Sequence, residues 1–278
     1  MSGLPLHFAE GADERSIGSS IADARLWRAN LGACVLHAVQ GLMMLGASQG
    51  IPSVKAFKKD LTTSYLVFDP ATKALVSQTK RIGSIEIGVC AAIFLLLSAI
   101  AHGWVLAFWK VYINDIVKEI NRCRWYEYAL SSSVMICAIA VCFGCYDVGT
   151  LVQMFFVNAS MNLFGLMMER LNPADRISVD WTPFVFGCIA GVAPWITVLS
   201  YFLGGGNYSQ IPGFVYGILF SYFVFFNTFP INMALQYARV GKWADYRFGE
   251  LSYITLSLVS KSLLAWLVFG GTFQPNGN

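Results

Sequence analysis

Apolar residues gather in seven runs along the chain, at 31–50, 82–109, 123–145, 148–168, 184–204, 211–238 and 249–271. At about 1.5 Å rise per residue, each run is long enough to cross about 30 Å of hydrocarbon as a helix. Strict alternation of apolar and polar positions, the mark of a membrane barrel, is absent from them, so helices must satisfy the backbone. Short polar stretches separate most runs. The long exception is 51–80, where SYLVF at 64–68 and ALVSQ at 74–78 flank an Asp69-Pro70 turn; this pattern predicts a small β-hairpin. The segment 110–124 mixes both charge signs and predicts a solvated extension of the third helix. Pro194 and Pro230, inside the fifth and sixth runs, predict kinks. The pattern divides the chain into a polar arm (1–28), a seven-helix domain (29–272) and a short tail (273–278). The arm has no apolar core of the kind a cleavable signal peptide needs.

Composition agrees with the pattern. With 56% hydrophobic and 13% charged residues, the chain lies outside the range of soluble domains, and a lipid bilayer rather than a nucleic acid is its expected partner. The net charge of +3 matters less than its distribution. With the N-terminus inside, the cytoplasmic face holds Arg15, Arg25, Arg28, Lys110, Lys118, Arg122, Arg124, Arg170, Arg176, Arg239, Lys242 and Arg247. The outer face holds Lys55, Lys58, Lys59, Lys73, Lys80 and Arg81, all in one loop. This bias predicts a multi-pass cell-membrane protein with its N-terminus cytoplasmic and its C-terminus extracellular. The seven cysteines include no CxxC pair with ligand-forming neighbours and read as small packing residues, so no metal is expected.

One residue breaks the apolar pattern of the last run. Lys261 has about ten mostly apolar residues on either side, which puts its Cα some 15 Å from each membrane face. A charge there costs a few kcal/mol at least and marks a functional site. A neutral amine in an apolar pocket is the nucleophile that condenses with an aldehyde. The protonated product needs a carboxylate, and Glu127 is the only acid well inside the third run. Ser257 lies one turn before Lys261 on the same helix face, where its hydroxyl can reach either group. Arg124, three residues before Glu127, either supports that carboxylate or reaches lipid headgroups. His37 with Gln40, and His102 with Ser98, put a histidine and a polar neighbour on the first and second helices and form a candidate proton-accepting cluster.

The run Arg124-Trp125-Tyr126-Glu127-Tyr128, followed by Ser131-Ser132-Ser133-Val134-Met135, resembles helix three of the heliorhodopsins. The stretch from Ser257 through Lys261 to Trp266 resembles their helix seven. The resemblance covers residues 28–272 and implies an all-α seven-helix rhodopsin-like bundle, inverted relative to other rhodopsins. It further implies that Lys261 carries all-trans retinal as a protonated Schiff base, with Glu127 as counter-ion and Ser257 as hydrogen-bond partner. His37, His102, Gln40 and Ser98 would form a polar cluster nearby; Met135, Asn158, Met161, Phe226 and Trp266 would line the pocket. The loop at 51–80 resembles the family's β-structured outer loop, which helps form a homodimer.

The implied function is light sensing rather than enzymatic catalysis. Light would isomerise the retinal, the Schiff-base proton would leave, and a slow conformational signal would follow, read by a cytoplasmic signalling protein. Pumps of the other rhodopsin class carry a second carboxylate about three turns further along helix three, but here that position is Ala138 among apolar neighbours. The alternatives are a light-gated or light-driven proton or ion conductor, and a non-retinal seven-helix transporter in which Lys261 and Glu127 form a plain ion pair.

Overall fold

A computed structural model describes residues 7–205 and 211–273, with side chains from Ser20 onward. The far ends of the predicted arm (1–6) and tail (274–278) lie outside the described residues. Among the described residues, seven helices are long and apolar enough to span a membrane. In chain order the elements are α1 (His7–Gly50), α2 (Pro52–Ala56), β1 (Lys58–Asp69), β2 (Ala74–Glu86), α3 (Ile87–Ala107), α4 (Trp109–Val117), α5 (Arg122–Cys142), α6 (Val148–Leu171), α7 (Thr182–Gly204), α8 (Gly213–Tyr237), a short 3-10 turn (Gly241–Ala244) and α9 (Tyr246–Gly271).

Side-chain caps start three of the spans. Asn121, Asp147 and Asp245 accept hydrogen bonds from the backbone N–H of Arg124, Thr150 and Arg247, which satisfies first-turn donors of α5, α6 and α9. Gly144, at φ +93°, takes the left-handed conformation that ends α5. Large apolar side chains such as Leu42, Ile100, Ile196 and Phe220 point outward, the reverse of a soluble bundle and the arrangement lipid requires. Neighbours around the ring pack as α1–α3, α3–α5, α5–α6, α6–α7, α8–α9 and α9–α1. The α7–α8 seam is joined by aromatic contacts, led by Trp195 stacked on Tyr222 at 4.3 Å.

The structure moves four of the sequence-predicted boundaries. The hairpin is much longer than its two short runs suggested, because β1 and β2 pair from Lys58–Glu86 through Asp69–Ala74, with a bulge between Leu61 and Thr62. The second span therefore begins at Ile87 rather than 82, since 82–86 belong to β2. The predicted extension of the third helix is instead a separate helix, α4: Phe108 leaves helical geometry (φ −110°, ψ 41°), and Tyr112 and Ile116 bury against the bundle. The first helix continues through residue 28 without a break, held by buried Leu26 and an Asp23–Arg247 ion pair of 2.7 Å to α9.

Candidate functional site

Lys261 and Glu127 meet at the centre of the bundle. Lys261 Nζ lies 2.5 Å from Glu127 Oε1, with the two side chains 3% and 8% exposed. Ser98 of α3 closes a triangle: Lys261 donates to Ser98 Oγ at 2.7 Å, and that hydroxyl lies 2.6 Å from Glu127 Oε1. The ring of Tyr128 sits 4.9 Å from the ammonium. A buried charge pair in this setting holds only because Coulomb attraction and extra hydrogen bonds offset desolvation.

Beside the pair, a cavity of about 360 Å³ runs between α5, α6, α7, α8 and α9. Its wall is largely aromatic and apolar, with Trp125, Trp195, Tyr222, Phe226, Met135 and Met161. Lys261 is part of that wall. The far side reaches the α7–α8 seam at Cys188, Val192 and Phe223, which are exposed, and at half-buried Asn227. Ser132, Asn158 and Asn162 form a polar strip in the otherwise apolar lining, with Asn158 Nδ2 donating to Ser132 at 2.8 Å. Two glycines make room: a Cβ on Gly165 would lie 2.2 Å from the Trp125 ring, and one on Gly191 would lie 3.0 Å from Met161 Sδ. The size, the concave apolar wall and the amine at its edge fit a long apolar aldehyde such as retinal.

The other predicted residues divide. Met135, Asn158, Met161 and Phe226 all line the cavity. Trp266 does not: five residues beyond Lys261, it is turned by about 140° around the helix, stands 44% exposed and donates Nε1–H to Gln40 Oε1 at 3.0 Å. Gln40 is accordingly drawn out of the histidine cluster to the α1–α9 seam, where it also donates to Ser262. His37 and His102 do come together, rings stacked at 5.9 Å, while Ser98 bonds the Lys261–Glu127 pair and neither ring nitrogen of His37 has a hydrogen-bond partner. His102 Nδ1 lies 2.7 Å from Asn30 Oδ1, an acceptor, so that nitrogen carries the proton. Ser257 is buried but does not bond Lys261; the serine that does is Ser98.

Arg124 follows neither expectation. It is buried and forms ion pairs with Glu169 of α6 and Glu250 of α9. Asn121, the α5 cap, ties the group together, donating its backbone N–H to Glu169 at 2.8 Å and its amide to Glu250 at 2.7 Å. Tyr246 donates to Glu169 and Tyr112 to Glu250. Glu169 and Glu250 read as span-end acids in sequence. The signal that was present is spacing: Glu250 lies about three turns before Lys261 and so on nearly the same face of α9. Among the described residues no group of three or more His, Cys, Asp or Glu could hold a metal ion, and the cysteines are free.

No curated protein matches the sequence. The heliorhodopsin family model matches residues 26–273, nearly the whole chain. With its seven apolar helices, its β-hairpin and an amine lodged beside an apolar cavity, this chain belongs to the heliorhodopsin family of retinal photoreceptor-type rhodopsins.

Proposed function

We propose that the protein is a light sensor that binds all-trans retinal on Lys261 and signals through a slow conformational change without pumping ions. The observation that carries this reading is the buried Lys261–Glu127 pair at 2.5 Å on the edge of an aromatic cavity. Retinal, joined to Lys261 as a Schiff base, supplies light absorption and isomerisation. The chain's own residues do the rest. Glu127 balances the positive charge on the Lys261 nitrogen, and Ser98 hydrogen-bonds both partners. Cavity walls of aromatic and methionine side chains hold the polyene and exclude water. His37 and His102, stacked beside the pair, accept the proton that leaves Lys261.

Sensing rather than pumping is supported by the half of the bundle beyond Lys261. There Phe94, Leu95, Ile136, Ile139 and Leu264 pack together as fully buried apolar residues, and Ala138 is buried as well. Apolar packing of this kind disfavours passage of a charge on that side. The basic residue bias supports a cytoplasmic N-terminus, the exposed apolar hairpin supports a homodimer, and the cytoplasmic loops are the surface a signalling protein would read. The test is a visible spectrum. Purified protein supplied with all-trans retinal should gain a visible band that Lys261→Ala does not form, and voltage-clamped cells expressing it should show no photocurrent. A band that survives Lys261→Ala would refute the site; a light-driven current would favour a conductor.

A further inference from the structure

The Arg124 cluster holds two carboxylates against one guanidinium, a net charge of −1 in the protein interior. Every carboxylate oxygen in it meets a donor: Arg124 and Tyr246 on Glu169 Oε1, the Asn121 N–H on Oε2, Tyr112 and Asn121 on Glu250 Oε1, Arg124 on Oε2. Two carboxylates thus share one guanidinium, so one of them has no cation of its own. A small cavity of about 30 Å³ links this cluster to the Lys261–Glu127 pair: Glu127 and His102 line it together with Arg124, Asn121 and Glu250. That volume suits about one water, which the surrounding polar groups can bond. Glu169 does not line it. On the opposite side of Lys261 lies the apolar packing. The polar exit from the Lys261–Glu127 pair thus leads toward Glu250.

We propose that Glu250 is a second proton site of this protein, which takes up the proton after it has left Lys261 and the groups beside it. The proposal rests on the photoreceptor reading above. The N–H bond at Lys261 breaks with its electron pair left on nitrogen, and an O–H bond forms on the Glu250 carboxylate. The total charge is conserved, while the Arg124 cluster goes from −1 to neutral and leaves Arg124 and Glu169 as a one-to-one pair. The groups facing Glu250 are Arg124 and Cys123 of α5, Glu169 of α6, Tyr112 of α4 and, across the cavity, His102 of α3 with Glu127 and Tyr128 of α5; Tyr246 and Tyr253 flank it on its own helix. Burial and the adjacent Glu250 carboxylate raise the Tyr112 phenol well above its ordinary value, so Tyr112 remains a donor to Glu250 and does not compete for the proton as an anion.

Infrared difference spectroscopy tests this in two preparations. In the pigment, a carboxylic-acid C=O band should rise after the Lys261 nitrogen loses its proton. Glu250→Gln should abolish it, and Glu250→Asp should shift it. Glu169→Gln, which removes the excess charge but keeps Glu250, should suppress it as well. In retinal-free membranes, acid titration should produce a buried carboxylic-acid band that Glu250→Gln removes. A band that persists in Glu250→Gln, or none in native protein whose Lys261 does lose its proton, overturns the proposal and leaves the photoreceptor reading intact. Failure of any pigment to form instead overturns that reading, and the retinal-free titration still decides whether Glu250 binds a proton.

Discussion

Lys261 was legible from sequence alone because lipid leaves a mid-span ammonium no bland role. Glu127 followed as the one acid deep enough to answer it. Their 2.5 Å contact gives a direct prediction: Glu127→Gln should move the visible band strongly to longer wavelength or lower the proton affinity of the Lys261 nitrogen. No change in either, by spectrum and pH titration, would remove Glu127 from the counter-ion role. Arg124 was illegible for a physical reason. Its partners lie 45 and 126 positions away, and only the folded bundle brings α6 and α9 against α5. Arg124→Ala should leave two buried carboxylates uncompensated and cost about 3–5 kcal/mol, read as a large fall in thermal stability. Arg124→Lys should recover only part, because an ammonium lacks the fork that serves both acids at once. The histidines belong to the same scale. His37→Ala with His102→Ala should change the lifetime of the state in which the Lys261 nitrogen is unprotonated, and unchanged kinetics would return both rings to simple packing.

At the level of elements, apolar run length located all seven spans, since crossing hydrocarbon requires a helix of a set minimum length. Boundaries failed where tertiary pairing overrode local pattern. Nothing within 82–86 marks it as strand; its partners at 58–61 do. The hairpin exposes Leu66, Phe68 and Leu75 and is tied to the rest of the protein by the Thr62 N–H donating to the Tyr146 carbonyl at 2.9 Å. Changing Leu66, Phe68 and Leu75 to Ser should shift a detergent-solubilised dimer to monomer with the visible band unchanged, measured by size-exclusion chromatography with light scattering. A dimer that survives would place the interface elsewhere. The α5–α6 contact offers a separate check. Gly165→Ala sets a methyl against the Trp125 ring and should destabilise the protein by about 1–3 kcal/mol.

Across the whole molecule, the bundle is asymmetric along its axis. Polar and charged groups run from Lys261 through Glu127 and His102 to the Arg124 cluster, while the opposite half is apolar and closely packed. A proton released at the centre thus has a built environment on one side only, which suits an internal relay tied to conformation better than transport across the membrane. Residue pattern predicted the envelope, and the resemblance of two segments predicted the cavity wall in large part; the misplacement of Trp266 and Gln40 came from helix faces that span one and span seven share, which no single run encodes. All of this depends on one covalent bond between retinal and Lys261. Borohydride reduction of the pigment, followed by peptide mass analysis, measures it directly. The account predicts a single retinyl group on the peptide containing Lys261; an unmodified Lys261, or the group on another lysine, would contradict it.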